Sequence, residues 1–117
     1  MPDNGSQTKG GIAYVSGAIG MTGKDASGKV IFAGDSVKEQ SKQVFENLIG
    51  MLAESGSSLD KVLKCTCLLE DINMYGEFNE VYLQYFPDPA TRPARACFGG
   101  NQLPFGAKVE VECTALC

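Results

Sequence analysis

Two alternating segments near the C-terminal end constrain the fold of this 117-residue chain more than any other feature. PARACF and, further on, KVEVEC both alternate with the period of two that is typical of β-strands. If the two strands belong to one sheet, we expect their apolar positions to face a helical layer. The opposite face would then carry the polar positions, Arg95, Cys97, Glu110 and Glu112. Such a face would place a receptor for a carboxylate beside a candidate general base.

The sequence also contains signals for two helices. Ser36 and Glu39 form a capping box in front of an apolar stripe with helical spacing. Asp71 can cap a second helix, which Pro87 ends. We expect the buried side of this second helix to consist of aromatic residues, namely Tyr75, Phe78, Tyr82, Tyr85 and Phe86.

Further strands are expected on both sides of the first helix. Residues 12–16 and 61–70 have strand patterns, and residues 29–33 can form a short extended piece. The glycine-rich stretch 17–28 is expected to be a loop. Two helices on one face of a mixed β-sheet are the simplest α+β arrangement for this order. The opposite sheet face could be covered by solvent or by a second subunit.

The N-terminal residues 1–10 are polar and rich in glycine, and we expect them to be poorly ordered. Residues 11–117 then form a single domain, which is long enough for one core. The sequence contains no apolar run close to the roughly 20 residues of a membrane span, and its first residues contain no signal-peptide core. We therefore expect no membrane association and a cytoplasmic location, with a mitochondrion or another organelle as the alternative.

Composition excludes several kinds of chemistry. The chain has no histidine, which removes His-based triads and His-containing metal sites. A net charge of −4 argues against nucleic acid as a partner. Five cysteines are an odd number and do not form the pattern of a disulfide framework. Cys65 and Cys67 share a strand face, where they could bind a metal, but reduced half-buried thiols are the better interpretation.

The two C-terminal segments, extended to RPARAC, LP and KVEVE, are similar to the signature of the RidA family, also called YjgF/YER057c/UK114 or endoribonuclease L-PSP. The segments YVSGAIG and FNEVYLQYF fit the same family, and the resemblance covers roughly residues 11–116. It implies a chorismate-mutase-like α+β fold and a homotrimer with three sites in the clefts between subunits. The implied activity is hydrolysis of 2-aminoacrylate-type enamines and imines, which pyridoxal-phosphate-dependent dehydratases release, to 2-keto acids and ammonia. It implies small 2-imino and 2-keto acids as ligands, and no cofactor or metal.

The resemblance also implies roles for five residues. Arg95 falls where the family's arginine clamps the substrate carboxylate, and Glu110 where its glutamate holds and activates a water molecule. Three further positions are implied to bind substrate. Cys97 lines the pocket and can offer its backbone N–H, the backbone of Gly17 approaches the substrate closely, and Asn79 lies on a helix near the cleft.

One departure from the family pattern keeps other functions open. Many deaminating members have an N-terminal Gly-Pro-Tyr whose tyrosine helps to close the pocket, whereas here Pro2 matches the proline and Asp3 stands in the tyrosine's place. Either this role is absent or another group supplies it. One alternative is an endoribonuclease, against which the acidic charge and the lack of histidine argue. Another is a non-enzymatic trimer that binds small carboxylates or partner proteins, as a regulator or chaperone. Arg95 could also form a structural salt bridge with Glu110 or Glu112.

Overall fold

The computed structural model describes residues 5–117 as a mixed sheet with two helices. The elements are β1 (Ser6–Lys9), β2 (Ile12–Ile19), β3 (Met21–Lys24), β4 (Val30–Phe32), α1 (Val37–Glu54), β5 (Val62–Leu69), α2 (Tyr75–Tyr85), β6 (Ala94–Phe98) and β7 (Val109–Leu116). The main sheet has the strand order β1-β2-β7-β5-β6, in which only β5 and β6 run parallel. The α+β prediction, a mixed sheet with two helices, is confirmed.

The first helix begins where the capping box predicts. The Ser36 hydroxyl accepts a hydrogen bond from the Glu39 backbone N–H at 3.0 Å, and the Glu39 carboxylate accepts one from the Ser36 backbone N–H at 3.3 Å. Two of the N–H groups that a helix start leaves unpaired are thereby satisfied. The stripe of α1 that faces the sheet is fully buried and contains Val44, Phe45, Leu48 and Leu52.

The second helix starts one turn later than the sequence predicts. Asp71 caps a 3-10 turn, Ile72–Met74, by accepting a hydrogen bond from the Asn73 backbone N–H at 2.8 Å, and α2 continues from this turn. Phe78, with Tyr82 and Phe86, packs around Phe45 of α1. This aromatic cluster joins the two helices into one layer.

One aromatic residue of α2 is not part of the core. The prediction that Tyr75 belongs to the buried side is wrong, because its side chain remains 36% exposed. Tyr75 lies in the first turn of α2, three residues before Phe78, and its ring is beside Arg95 at the edge of the sheet rather than over the sheet. Helical spacing therefore selected the correct stripe of α2, but the first turn of this helix extends beyond the core.

The structure of the N-terminal third differs from the sequence prediction at two places. Ser6–Lys9 form β1, which pairs antiparallel with β2 and which the sequence pattern did not predict. Met21–Lys24 form β3, which pairs with β4, within the stretch that we expected to be a loop. The strand is difficult to recognise in the sequence because the glycines interrupt the alternation of side chains. The match of Pro2 and Asp3 to the family's proline and tyrosine lies outside the described residues.

Candidate functional site

The strand register shows which face of the sheet carries Arg95. Cys65 and Cys67 of β5 are buried under the helices, and they pair with Arg95 and Cys97 of β6. Side chains of register partners on neighbouring strands point to the same face. Arg95 and Cys97 therefore lie on the helical face of the sheet.

The two glutamates lie on the opposite face. Glu110 pairs with Leu68 and Glu112 pairs with Thr66, and these partners alternate with the buried Cys67 along β5. The prediction that Arg95, Cys97, Glu110 and Glu112 share one face is wrong. Alternation separates the two faces within one strand, but it does not show how two strands are aligned, and β6 pairs with β5 rather than with β7.

An arginine on the helical face is tolerated because β6 is the edge strand, where the helical layer ends. The Arg95 guanidinium donates hydrogen bonds of 2.7 Å to Asn79 Oδ1 and of 2.7 Å to the Tyr75 hydroxyl. Its central carbon lies 4.2 Å from the centroid of the Tyr82 ring. We call these four residues, Tyr75, Asn79, Tyr82 and Arg95, the arginine half-site.

The helix α2 supplies three of these residues at helical spacing. Tyr75, Asn79 and Tyr82 are four and three residues apart, which places them on one stripe of α2. Both hydrogen-bond acceptors of Arg95 are neutral, and the carboxylate of Glu110 lies on the other face of the sheet. Arg95 is thus oriented by its neighbours while its positive charge stays available to a ligand, and it is not held by a salt bridge to Glu110 or Glu112 within the chain.

Gly17 and Glu110 form a second group, the glutamate half-site. The register of β2 and β7 shifts between Val15 and Ala18, and this irregularity contains Gly17. A Cβ at Gly17 would overlap the Glu110 carboxylate, so only glycine leaves this side chain its place. A cleft of about 500 Å³ between α1 and β3 reaches Gly17.

The pKa values of the thiol and the carboxyl of the candidate site are both raised above their ordinary values. Partial burial raises the pKa of Glu110, and the nearby charge of Glu112 raises it further. Burial also raises the pKa of Cys97, although the charge of Arg95 opposes this shift. Because a thiol is a nucleophile only as thiolate, Cys97 fits a pocket-lining residue better than a reactive one.

The two half-sites do not meet within one chain. They lie on opposite faces of the sheet, and the strand β5 separates β6 from β7. Neighbouring strands are about 4.8 Å apart, so Arg95 and Glu110 are separated by two strand spacings as well as by the thickness of the sheet. A ligand as small as a 2-imino acid cannot contact both residues of the same chain.

Some functional contacts were not expected from the sequence. The contacts of Tyr75 and Tyr82 with Arg95 depend on where α2 crosses the edge strand, which helical spacing alone does not give.

Among residues 5–117, no group of three or more cysteine, aspartate or glutamate side chains could hold a metal ion. In the same part of the chain, no helix is long and apolar enough to cross a membrane.

Comparison with known proteins gives a consistent set of relatives. The family model described as Endoribonuclease L-PSP matches residues 5–117. The human protein named 2-iminobutanoate/2-iminopropanoate deaminase is 39% identical over 103 residues, which are 88% of this chain and 71% of that protein. Other relatives are named as mitochondrial in Saccharomyces cerevisiae and as chloroplastic in Arabidopsis thaliana.

Solved structures of similar proteins have the same fold. A protein described as an endoribonuclease L-PSP from Entamoeba histolytica is 48% identical, with a TM-score of 0.83 over 97% of this chain and 86% of that one. The E. coli protein TdcF, solved with bound serine, is 27% identical, with a TM-score of 0.82 over 100% of this chain and 89% of that one.

Proposed function

This chain belongs to the RidA family, also called YjgF/YER057c/UK114, whose family model is described as Endoribonuclease L-PSP, and from that premise we propose that it hydrolyses small 2-imino acids. Water adds to C2 of the protonated imine, the C2–N bond then breaks, and the products are a 2-keto acid and ammonia. A 2-aminoacrylate-type enamine enters the same reaction after it has taken up a proton at C3 and become the imine. No electron transfer is involved.

The observation that carries the proposal is the arginine half-site. Arg95 is fixed by two hydrogen bonds of 2.7 Å, to Asn79 and Tyr75, and neither partner neutralises its charge. A planar guanidinium held in this way suits the two oxygens of a carboxylate. The human relative named as a deaminase and the serine bound to TdcF support a ligand with a carboxylate group.

Glu110 is the proposed proton acceptor. Its carboxylate lies against Gly17 and occupies the space that the missing side chain leaves. In its ionised form it can take a proton from the attacking water and later return a proton to the departing ammonia. A pKa raised by burial makes this carboxylate a stronger base than an exposed glutamate.

The opposite placement of the half-sites supports a site between subunits. We propose that Arg95 of one chain and Glu110 of a neighbouring chain face the same ligand in a homotrimer. The glutamate face of the sheet carries exposed apolar side chains, among them Tyr14 at 50% and Leu116 at 48%, which a neighbouring copy could cover.

A coupled assay tests the proposed function. A pyridoxal-phosphate-dependent dehydratase generates 2-iminobutanoate, and the release of 2-oxobutanoate is timed with and without this protein. We expect the wild type to accelerate release. Arg95→Ala should lower kcat/KM by about 10- to 100-fold, because a hydrogen-bonded charge contact is lost. Glu110→Gln should lower it by about 100-fold or more, because the proton acceptor is lost.

Glu112→Gln is the matched control. Glu112 lies on the same strand and the same face as Glu110 but is exposed, and at neutral pH we expect its replacement to change kcat/KM by no more than about twofold. A wild type that does not accelerate release would contradict the deaminase proposal and favour the alternative of a protein that only binds carboxylates. RNA cleavage that persists at about 200 mM salt and is lost in Glu110→Gln would favour the endoribonuclease instead.

The proposed location follows from the substrate. Because 2-imino acids are short-lived, the protein should be present where the dehydratases act, in the cytoplasm or in an organelle. The names of the mitochondrial and chloroplastic relatives support an organelle.

A further inference from the structure

The hydroxyl of Tyr75 has a hydrogen-bonding capacity that its contact with Arg95 does not use. A guanidinium can only donate hydrogen bonds, so in the 2.7 Å contact between Arg95 Nη2 and Tyr75 Oη the phenol oxygen is the acceptor. The hydrogen of the Tyr75 hydroxyl is not consumed by that contact. It can therefore be donated to a second acceptor close to Arg95.

The surroundings of Arg95 show from which side that acceptor arrives. Tyr82 covers one face of the guanidinium and is only 2% exposed, and Asn79 occupies Nη1. Tyr75 lies at the rim, 36% exposed, with its ring centroid 5.4 Å from the central carbon of the guanidinium. An anion that approaches the uncovered side of Arg95 consequently meets the phenol oxygen of Tyr75 as well as the free guanidinium N–H groups.

We propose that Tyr75 binds the ligand carboxylate directly, by donating the hydrogen of its hydroxyl to one carboxylate oxygen while Arg95 binds the anion. This inference rests on the proposed function, because it takes the ligand to be a small 2-imino or 2-keto acid. The phenol then has two roles in one arrangement. It accepts from Arg95 and donates to the ligand, so the bound anion receives a neutral donor in addition to the cation.

Binding of a stable ligand tests the inference without turnover. We would titrate the full-length wild type, Tyr75→Phe and Tyr85→Phe with 2-oxobutanoate by isothermal titration calorimetry. Tyr75→Phe keeps the ring and its contact with the guanidinium but removes the hydroxyl. We expect its Kd to rise by about tenfold or more, since a hydrogen bond to a charged group is lost.

Tyr85→Phe is the matched control. Tyr85 lies on the same helix, and its hydroxyl donates a 2.7 Å hydrogen bond to Glu46 on α1, away from Arg95. We expect its Kd to stay within about twofold of the wild type. A comparable loss in both variants would mean that a general disturbance of α2 weakens binding, and the inference would be wrong.

A second pair of variants separates direct contact from positioning. If Tyr75 only orients the planar fork of Arg95, then Tyr75→Phe should have no effect once Arg95→Lys has removed that fork. If Tyr75 contacts the ligand, Tyr75→Phe should still raise Kd by about fivefold or more in the Arg95→Lys background. An effect that disappears in this background would overturn the inference.

Turnover measured in parallel distinguishes this inference from the proposed function. A wild type that binds 2-oxobutanoate but does not accelerate its release would overturn deamination, while the Tyr75 comparison would still be decided by binding. If Tyr75→Phe binds 2-oxobutanoate as tightly as the wild type, and the wild type accelerates release, only the inference on Tyr75 would be overturned, and the proposed function would stand. A wild type that neither binds nor accelerates would overturn both.

Discussion

Glu110 shows how single residues set the chemistry of the glutamate half-site. Two influences raise its pKa, first its burial and second the negative charge of Glu112 two residues away. As a proton acceptor, Glu110 acts only when it is ionised. Activity should therefore fall as the pH decreases through its raised pKa, at a higher pH than for an exposed glutamate.

Replacing Glu112 tests this dependence. Glu112→Gln removes the like charge, so the pKa of Glu110 should decrease and the acidic limb of the kcat/KM profile should move to lower pH. Burial is the larger cause of the raised pKa and remains in the variant. The acidic limb should therefore still lie at a higher pH than the limb that an exposed glutamate would give. The measurement is a pH–rate profile with the generating enzyme in excess at every pH. A limb that stays in place or moves to higher pH would mean that the acidic limb does not report Glu110.

Short sequence patterns led to the candidate residues, but they did not show every contact of these residues. The RPARAC and KVEVE segments led to Arg95 and Glu110, whose functional roles stay predictions, and the structure pairs Asn79 with Arg95 and Gly17 with Glu110. Tyr75 was assigned to the core because helical spacing does not show where the core ends.

Among the elements, the packing of the turn before α2 against the end of β6 depends on one close backbone contact. A Cβ at Gly99 would lie 2.5 Å from the backbone nitrogen of Ile72 and 2.6 Å from its Cα, which no side-chain rotation can relieve. Gly99 therefore lets the 3-10 turn Ile72–Met74 sit against the end of β6. This turn in turn places Tyr75 beside Arg95.

Gly99→Ala should separate these elements. We expect a loss of about 1–3 kcal/mol in the free energy of unfolding, measured by urea denaturation, because the backbone of the turn must move. We also expect weaker binding of 2-oxobutanoate. The control is Gly76→Ala, where an added Cβ meets nothing within 4 Å and should stabilise α2 by about 0.5–1 kcal/mol. Equal stability of Gly99→Ala and the wild type would contradict the close approach.

The elements also show where sequence reasoning stops. The capping box, the Asp71 cap and the alternating segments predicted the two helices and most strands, since these signals are local. The relative facing of Arg95 and Glu110 is not local, because it depends on β6 joining β5 and on the register of β5 with β7. The alternation within each segment and the facing of β7 were predicted correctly. The facing of β6 was wrong, because Arg95 and Cys97 rather than its apolar residues point to the helices.

For the whole molecule, the placement of the half-sites on opposite faces predicts that activity requires assembly. If each site combines Arg95 of one subunit with Glu110 of another, a mixed assembly of Arg95→Ala and Glu110→Gln chains should recover activity. With random assembly of equal amounts, about one quarter of the sites receive both intact residues. The measurement is kcat for the two variants, refolded together and separately.

A suitable control mixes Arg95→Ala chains with chains that carry both substitutions, which cannot form an intact site. Sedimentation of the wild type gives the size of the assembly. Recovery in the first mixture alone would support sites between subunits. No recovery, or a wild type that is a fully active monomer, would contradict them.

The opposite facing of Arg95 and Glu110 therefore has a consequence for inheritance. If the site lies between subunits, an allele without the arginine and an allele without the glutamate should complement each other in a diploid cell, although each alone gives a protein of strongly reduced activity. Two alleles that both lack the arginine should not complement. A cross between two such strains would thus show, in the growth of the diploid offspring, whether two damaged residues belong to the same half-site or to different half-sites.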